Sequence, residues 1–111
     1  MTTMTRRSTL ALFTAAPLAL ALAGRAQAAT HAITIQGMAF SPAEITISRG
    51  DTIRFTNNDS APHTATFRSA GKDTGRLSQG QSAELTFETA GSYDYFCAVH
   101  PSMRGRVIVG S

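Results

Sequence analysis

From Ala29 onward, hydrophobic residues recur at every second position in short runs. Ile33 and Ile35 form one such pair, followed by Ile45 and Ile47, Ile53 and Phe55, and Leu85 and Phe87. Tyr93, Tyr95 and Cys97 share one face of a further run, and Val107 and Val109 share one face of the last. A period of two is that of a strand, whose successive side chains point to opposite faces. The runs are separated by Gly37, Ser41-Pro42, Arg49-Gly50-Asp51, Asn57-Asn58-Asp59-Ser60, Gly71, Gly75, Gly80 and Gly91. These residue types turn a chain, by permitting unusual dihedrals or by bonding their own backbone. No stretch beyond residue 28 sustains a helical period, and no repeat is present. The spacing predicts an all-β sandwich or small barrel, with Ser69 to Gly80 as its longest piece outside strands.

The first 28 residues read differently. Arg6-Arg7 make a basic start, Leu10 to Ala23 an apolar run of fourteen, and Ala26-Gln27-Ala28 a small-residue cleavage pattern. Fourteen residues fall short of the roughly 20 needed to span a bilayer. The stretch is therefore expected to be a cleavable export signal over 1–28, leaving a domain over 29–111 in the periplasm. Thr5-Arg6-Arg7-Ser8-Thr9-Leu10 partly resembles a twin-arginine signal, with Thr9 where that pattern has Phe.

Composition sharpens this reading. A chain of 111 residues allows one domain and excludes a multidomain enzyme. The formal charge of +3 comes entirely from Arg6, Arg7 and Arg25, because the later residues hold seven basic and seven acidic groups. A neutral domain lacks the basic footprint that nucleic acid requires. The single Cys97 excludes an internal disulfide, although a domain this small in an oxidising compartment usually carries one. An unpaired exported thiol calls for an occupant.

The occupant is suggested by Cys97-Ala98-Val99-His100-Pro101-Ser102-Met103, a Cys-x2-His-x2-Met loop at the end of a strand. A second histidine, His63, follows Pro62, 34 residues before Cys97. One thiolate, two imidazoles and one thioether are the ligands of a blue-copper centre, a His2Cys plane with a weak axial Met. The soft sulfurs suit Cu(I) and the imidazoles suit both oxidation states. A plain immunoglobulin-type sandwich would instead leave these four as unrelated core and surface residues.

These residues resemble the cupredoxin (type 1 blue-copper) family, most closely its amicyanin branch and more distantly plastocyanin and pseudoazurin. The likeness extends to Met38-x-Phe40-x-Pro42, to Gly50-Asp51-Thr52, and to Asn57 with Pro62-His63 after it, covering about Ile33 to Val109. It implies a cupredoxin-like Greek-key β-sandwich of about seven to eight short strands. Near one end, His63, Cys97, His100 and Met103 would hold one copper. The sequence departs from the amicyanin pattern at Ala98-Val99, where Thr-Pro is usual, and at Thr64, where Asn is frequent. That Asn pins the copper loop, so Thr64 or Asn57 must do so here, or the loop is looser.

The implied function is single-electron transfer. Redox partners would dock transiently at His100 within an apolar rim of Met38, Pro62, Val99 and Pro101. A copper enzyme would need further metal sites, and the neighbours of Cys97 are Phe96 and Ala98, not His. The alternative, a periplasmic copper carrier or sequestering protein, usually shows Met-rich or His-rich tracts, which are absent here. The domain is expected to be a monomer, neither membrane-inserted nor bound to nucleic acid. His31 is either an ordinary residue of the first strand or, after cleavage at Ala28, part of an Ala29-Thr30-His31 amino-terminal Cu(II) site.

Overall fold

The computed structural model describes residues 28–111, and the export signal expected over 1–28 lies outside them apart from Ala28. Nine strands follow in order. They are β1 (Thr30–Ile35), β2 (Phe40–Ser41), β3 (Glu44–Ser48), β4 (Asp51–Asn57), β5 (Thr66–Phe67), β6 (Lys72–Asp73), β7 (Ser82–Phe87), β8 (Gly91–Phe96) and β9 (Arg104–Gly110). The count exceeds the expected seven to eight because β2, β5 and β6 are two residues long, too short for alternation to register. Two of the three, β5 and β6, pair with each other, and β6 falls within Ser69 to Gly80, which was expected to lie outside strands.

The strands form two sheets, ordered β2-β1-β4-β7 and β3-β9-β8-β5-β6. Most neighbours are antiparallel, but β1 runs parallel to β4 and β3 runs parallel to β9. A parallel neighbour cannot follow by a tight hairpin, so the chain crosses between layers instead. Gly50, at a φ of 88°, turns the chain from β3 into β4, and its N–H donates to Phe87 O at 2.7 Å.

The alternating hydrophobics meet between the sheets. Ile33, Ile35, Ile53, Phe55, Phe67, Phe87, Tyr95, Val107 and Val109 are all buried. Tyr95 lies at their centre, stacked on Phe67 with centroids 4.5 Å apart and edge-on to Phe40 at 4.6 Å. Each such aromatic pair adds about 0.5–1.5 kcal/mol beyond its buried area, which matters in a domain without a disulfide. Because β4 ends at Asn57 and β8 at Phe96, the turn carrying His63 and the loop beginning at Cys97 emerge at one end of the sandwich.

Candidate metal centre

His63 has no accessible surface, and its backbone is tied to a neighbouring segment. His63 N–H donates to Leu77 O at 3.2 Å, and Leu77 N–H donates back to His63 O at 2.8 Å. The ring is tied as well, with Nε2 lying 3.0 Å from Asp59 Oδ2. A carboxylate accepts, so Nε2 carries the proton and Nδ1 keeps a free lone pair. Asp59 also accepts from Gly37 N–H at 2.8 Å and Met38 N–H at 2.9 Å. The bond from Met38 first, then that from Gly37, holds its carboxyl below the usual range, and His63 contributes. Asp59 therefore remains an anion against which the ring is oriented.

Cys97 is the first residue beyond β8 and is fully buried. The loop closes on itself, since Cys97 N–H donates to Met103 O at 3.0 Å and Met103 N–H donates to His100 O at 2.9 Å. Two backbone N–H groups, of Thr64 and His100, point at the sulfur at 3.4 Å each. They favour electron density on the sulfur, as a metal-bound thiolate requires. Met103 is buried within the same loop, whereas His100 is half-buried and is the histidine of the pair nearer the surface.

The donor atoms converge. Cys97 Sγ lies 3.7 Å from His63 Nδ1 and 4.0 Å from His100 Nδ1, and the three ligand atoms fall within 4.8 Å of one another. A metal about 2.3 Å from sulfur and about 2.0 Å from nitrogen, with ligands 120° apart, needs S···N separations of about 3.7 Å. The two S···N distances fit a trigonal His2Cys site. Among the described residues, Cys97 Sγ is the partner of both His63 Nδ1 and His100 Nδ1. Thus all four residues expected as ligands, His63, Cys97, His100 and Met103, lie at this end of the sandwich.

The pinning role left open between Thr64 and Asn57 is divided. Thr64 Oγ1 accepts from Ala98 N–H at 2.8 Å, joining the His63 segment to the Cys97 loop, and pairs with Thr66 Oγ1 at 2.9 Å. Asn57 stays on its own side, donating to Ala61 O at 2.8 Å and Leu77 O at 2.7 Å while its Oδ1 accepts from Asp59 N–H. One residue latches the loop and the other shapes the turn. Sequence reasoning missed Asp59, which reads as a turn former within Asn57-Asn58-Asp59-Ser60. Its position four residues before His63 was the available signal. Leu77 was missed too, because a single apolar residue between glycines shows no period.

A family profile described as Cupredoxin-like domain matches residues 8–109. The chain belongs to the cupredoxin-like family. Amicyanin of Paracoccus versutus is 40% identical over 82 residues, covering 69% of this chain and 62% of that protein. Amicyanin-alpha of Methylorubrum extorquens is 33% identical over 96 residues, covering 82% and 81%. The chain thus spans less than two thirds of the Paracoccus versutus relative and about four fifths of the Methylorubrum extorquens one. Among solved structures, a reduced tryptophan-to-tyrosine variant of amicyanin superposes with a TM-score of 0.70 at 31% identity, covering 79% of this chain and 89% of that one. The Cu(I) form of a methionine-to-alanine variant of amicyanin gives a TM-score of 0.68 at 31% identity, with the same coverage.

Proposed function

We propose that this cupredoxin is an electron carrier, not an enzyme, in which His63, Cys97, His100 and Met103 would hold one type 1 copper. The observation carrying this reading is the convergence of His63 Nδ1 at 3.7 Å and His100 Nδ1 at 4.0 Å on Cys97 Sγ. Bound copper supplies a one-electron couple between Cu(II) and Cu(I). The chain's own contribution is rigidity. Asp59 fixes the His63 ring, the 3.4 Å donors hold the Cys97 sulfur, and Thr64 ties the two segments together. A site held by its scaffold reorganises little when an electron arrives, which speeds exchange.

His100 is the route to the outside. It is half-buried and flanked by half-buried Val99 and exposed Pro101. Met38, 46% exposed, is held beside the His63 segment through Asp59. Such an apolar rim suits a redox partner that must dock briefly and leave. The reading includes export to the periplasm, with cleavage after Ala28.

The test is to load the purified protein with one equivalent of Cu(II) and record visible and EPR spectra beside Cys97→Ser. Intense blue colour and narrow copper hyperfine splitting, both lost in the variant, are expected. Stoichiometric copper without the colour overturns electron transfer in favour of a carrier role.

A further inference from the structure

A second constellation lies at β1 and the start of β4, remote from the metal ligands. Asp51 is 5% exposed, yet it begins β4 and no Lys or Arg pairs with it among the described residues. Its carboxylate is filled by three other donors. Oδ1 accepts from Ala29 N–H at 2.9 Å, while Oδ2 lies 2.9 Å from His31 Nε2 and accepts from Ser48 N–H at 3.0 Å. Ala29 itself is tied down by its carbonyl, which accepts from Thr52 N–H at 2.9 Å. The first residue expected after cleavage therefore presents its nitrogen to a buried carboxylate.

We infer that Asp51 is the receptor for the α-ammonium group of a chain processed at Ala28–Ala29. The inference rests on the cleavage proposed above. Before cleavage the Ala29 nitrogen is a neutral amide, and its bond to Oδ1 is an ordinary one. Hydrolysis of the Ala28–Ala29 peptide frees an amine that takes up a proton, which places a positive charge beside a carboxylate already sequestered by the fold. Charge-assisted hydrogen bonds are roughly twice as strong as neutral ones. Processing thereby adds an ion pair that staples β1 to β4, in a domain with no disulfide to do so. It also assigns His31 a place as a donor to Asp51. An amino-terminal Cu(II) site would have to fold the backbone of Thr30 and His31 around the metal, away from the register that sets them beside Thr52 and Ile53 of β4.

The experiment uses the exported, processed protein. Mass spectrometry establishes its first residue, and a start other than Ala29 overturns both this inference and the cleavage reading. With Ala29 confirmed, the α-amine is selectively acetylated and urea unfolding is compared with the unmodified protein. Acetylation is expected to lower the folding equilibrium constant roughly three- to tenfold, with no such change in Asp51→Asn. In the unmodified wild-type protein, NMR titration should find the α-amine above its ordinary pKa of about 8. That second readout holds even where Asp51→Asn fails to fold. An amine titrating at its ordinary value, or equal acetylation losses in both proteins, overturns the ion pair while leaving the cleavage reading intact.

Discussion

Gly105 lies directly opposite Tyr95 across β9 and β8, and the space its side chain would fill holds the tyrosine ring. A Cβ at this position would press into Tyr95 Cζ and sit 2.5 Å from its hydroxyl oxygen and 2.6 Å from Cε1. Carbon contacts are favourable near about 3.5 Å, so the ring must retreat by about 1 Å in Gly105→Ala. It has nowhere to go, with Phe67 stacked at 4.5 Å and Phe40 edge-on at 4.6 Å. Overpacking of this kind costs about 1–3 kcal/mol, and each aromatic pair displaced adds about 0.5–1.5 kcal/mol. Alanine returns about 0.5 kcal/mol through its lower backbone entropy in a strand. The net loss is about 3.5 kcal/mol, a large share of a small domain's stability. With a urea dependence of about 1 kcal/mol per molar, the unfolding midpoint falls by about 3.5 M. In a Tyr95→Leu background the same substitution should cost under about 0.5 kcal/mol, since the obstructing ring atoms are gone. An unchanged midpoint in the single variant, or an equal loss in both backgrounds, would refute the close packing. Because Tyr95 is two residues before Cys97, the copper absorption of Gly105→Ala reports whether the strain reaches the site.

Three further outcomes are expected. Asp51 is held down to about 2 by hydrogen bonds from Ala29 first, then His31 and Ser48, so its contribution to stability is full above about pH 4. It is lost as pH falls towards 2; thermal melts should show this decline in the wild type, and Asp51→Asn should lack that part of it. Asp59→Ala removes the acceptor that orients His63 and frees the Gly37 and Met38 amides. Copper affinity measured by competition should fall about 10–100-fold, and an unchanged affinity would mean the carboxylate does not position the ring. Thr64→Val takes away the hydroxyl that accepts from Ala98 N–H and should cost about 1–2 kcal/mol in urea unfolding. Thr64→Ser should keep the latch, and a serine variant as unstable as the valine one would place the effect in packing.

Much of this architecture was legible in the chain itself. Alternation at Ile33/Ile35, Ile53/Phe55, Tyr95/Cys97 and Val107/Val109 marked inner-face positions, because a strand repeats every two residues wherever it lies. The Cys97–Met103 spacing likewise brought three candidate donors onto one loop, because a short loop leaves them little choice of distance. Long-range partners were not legible. His63 reaches the sulfur because β4 and β8 end at the same pole, and its ring orientation depends on Asp59, which in the sequence is one more turn residue. Thr64 and Asn57 were equal candidates for the latch until tertiary pairing put the Ala98 amide against Thr64. Gly105 carries no signal in the sequence, though Tyr95 needs its missing side chain. Local periodicity and short spacings record what a chain does with its own neighbours. Hydrogen bonds between residues tens of positions apart exist only once the sheets have stacked, and those bonds determined which polar residue serves which role.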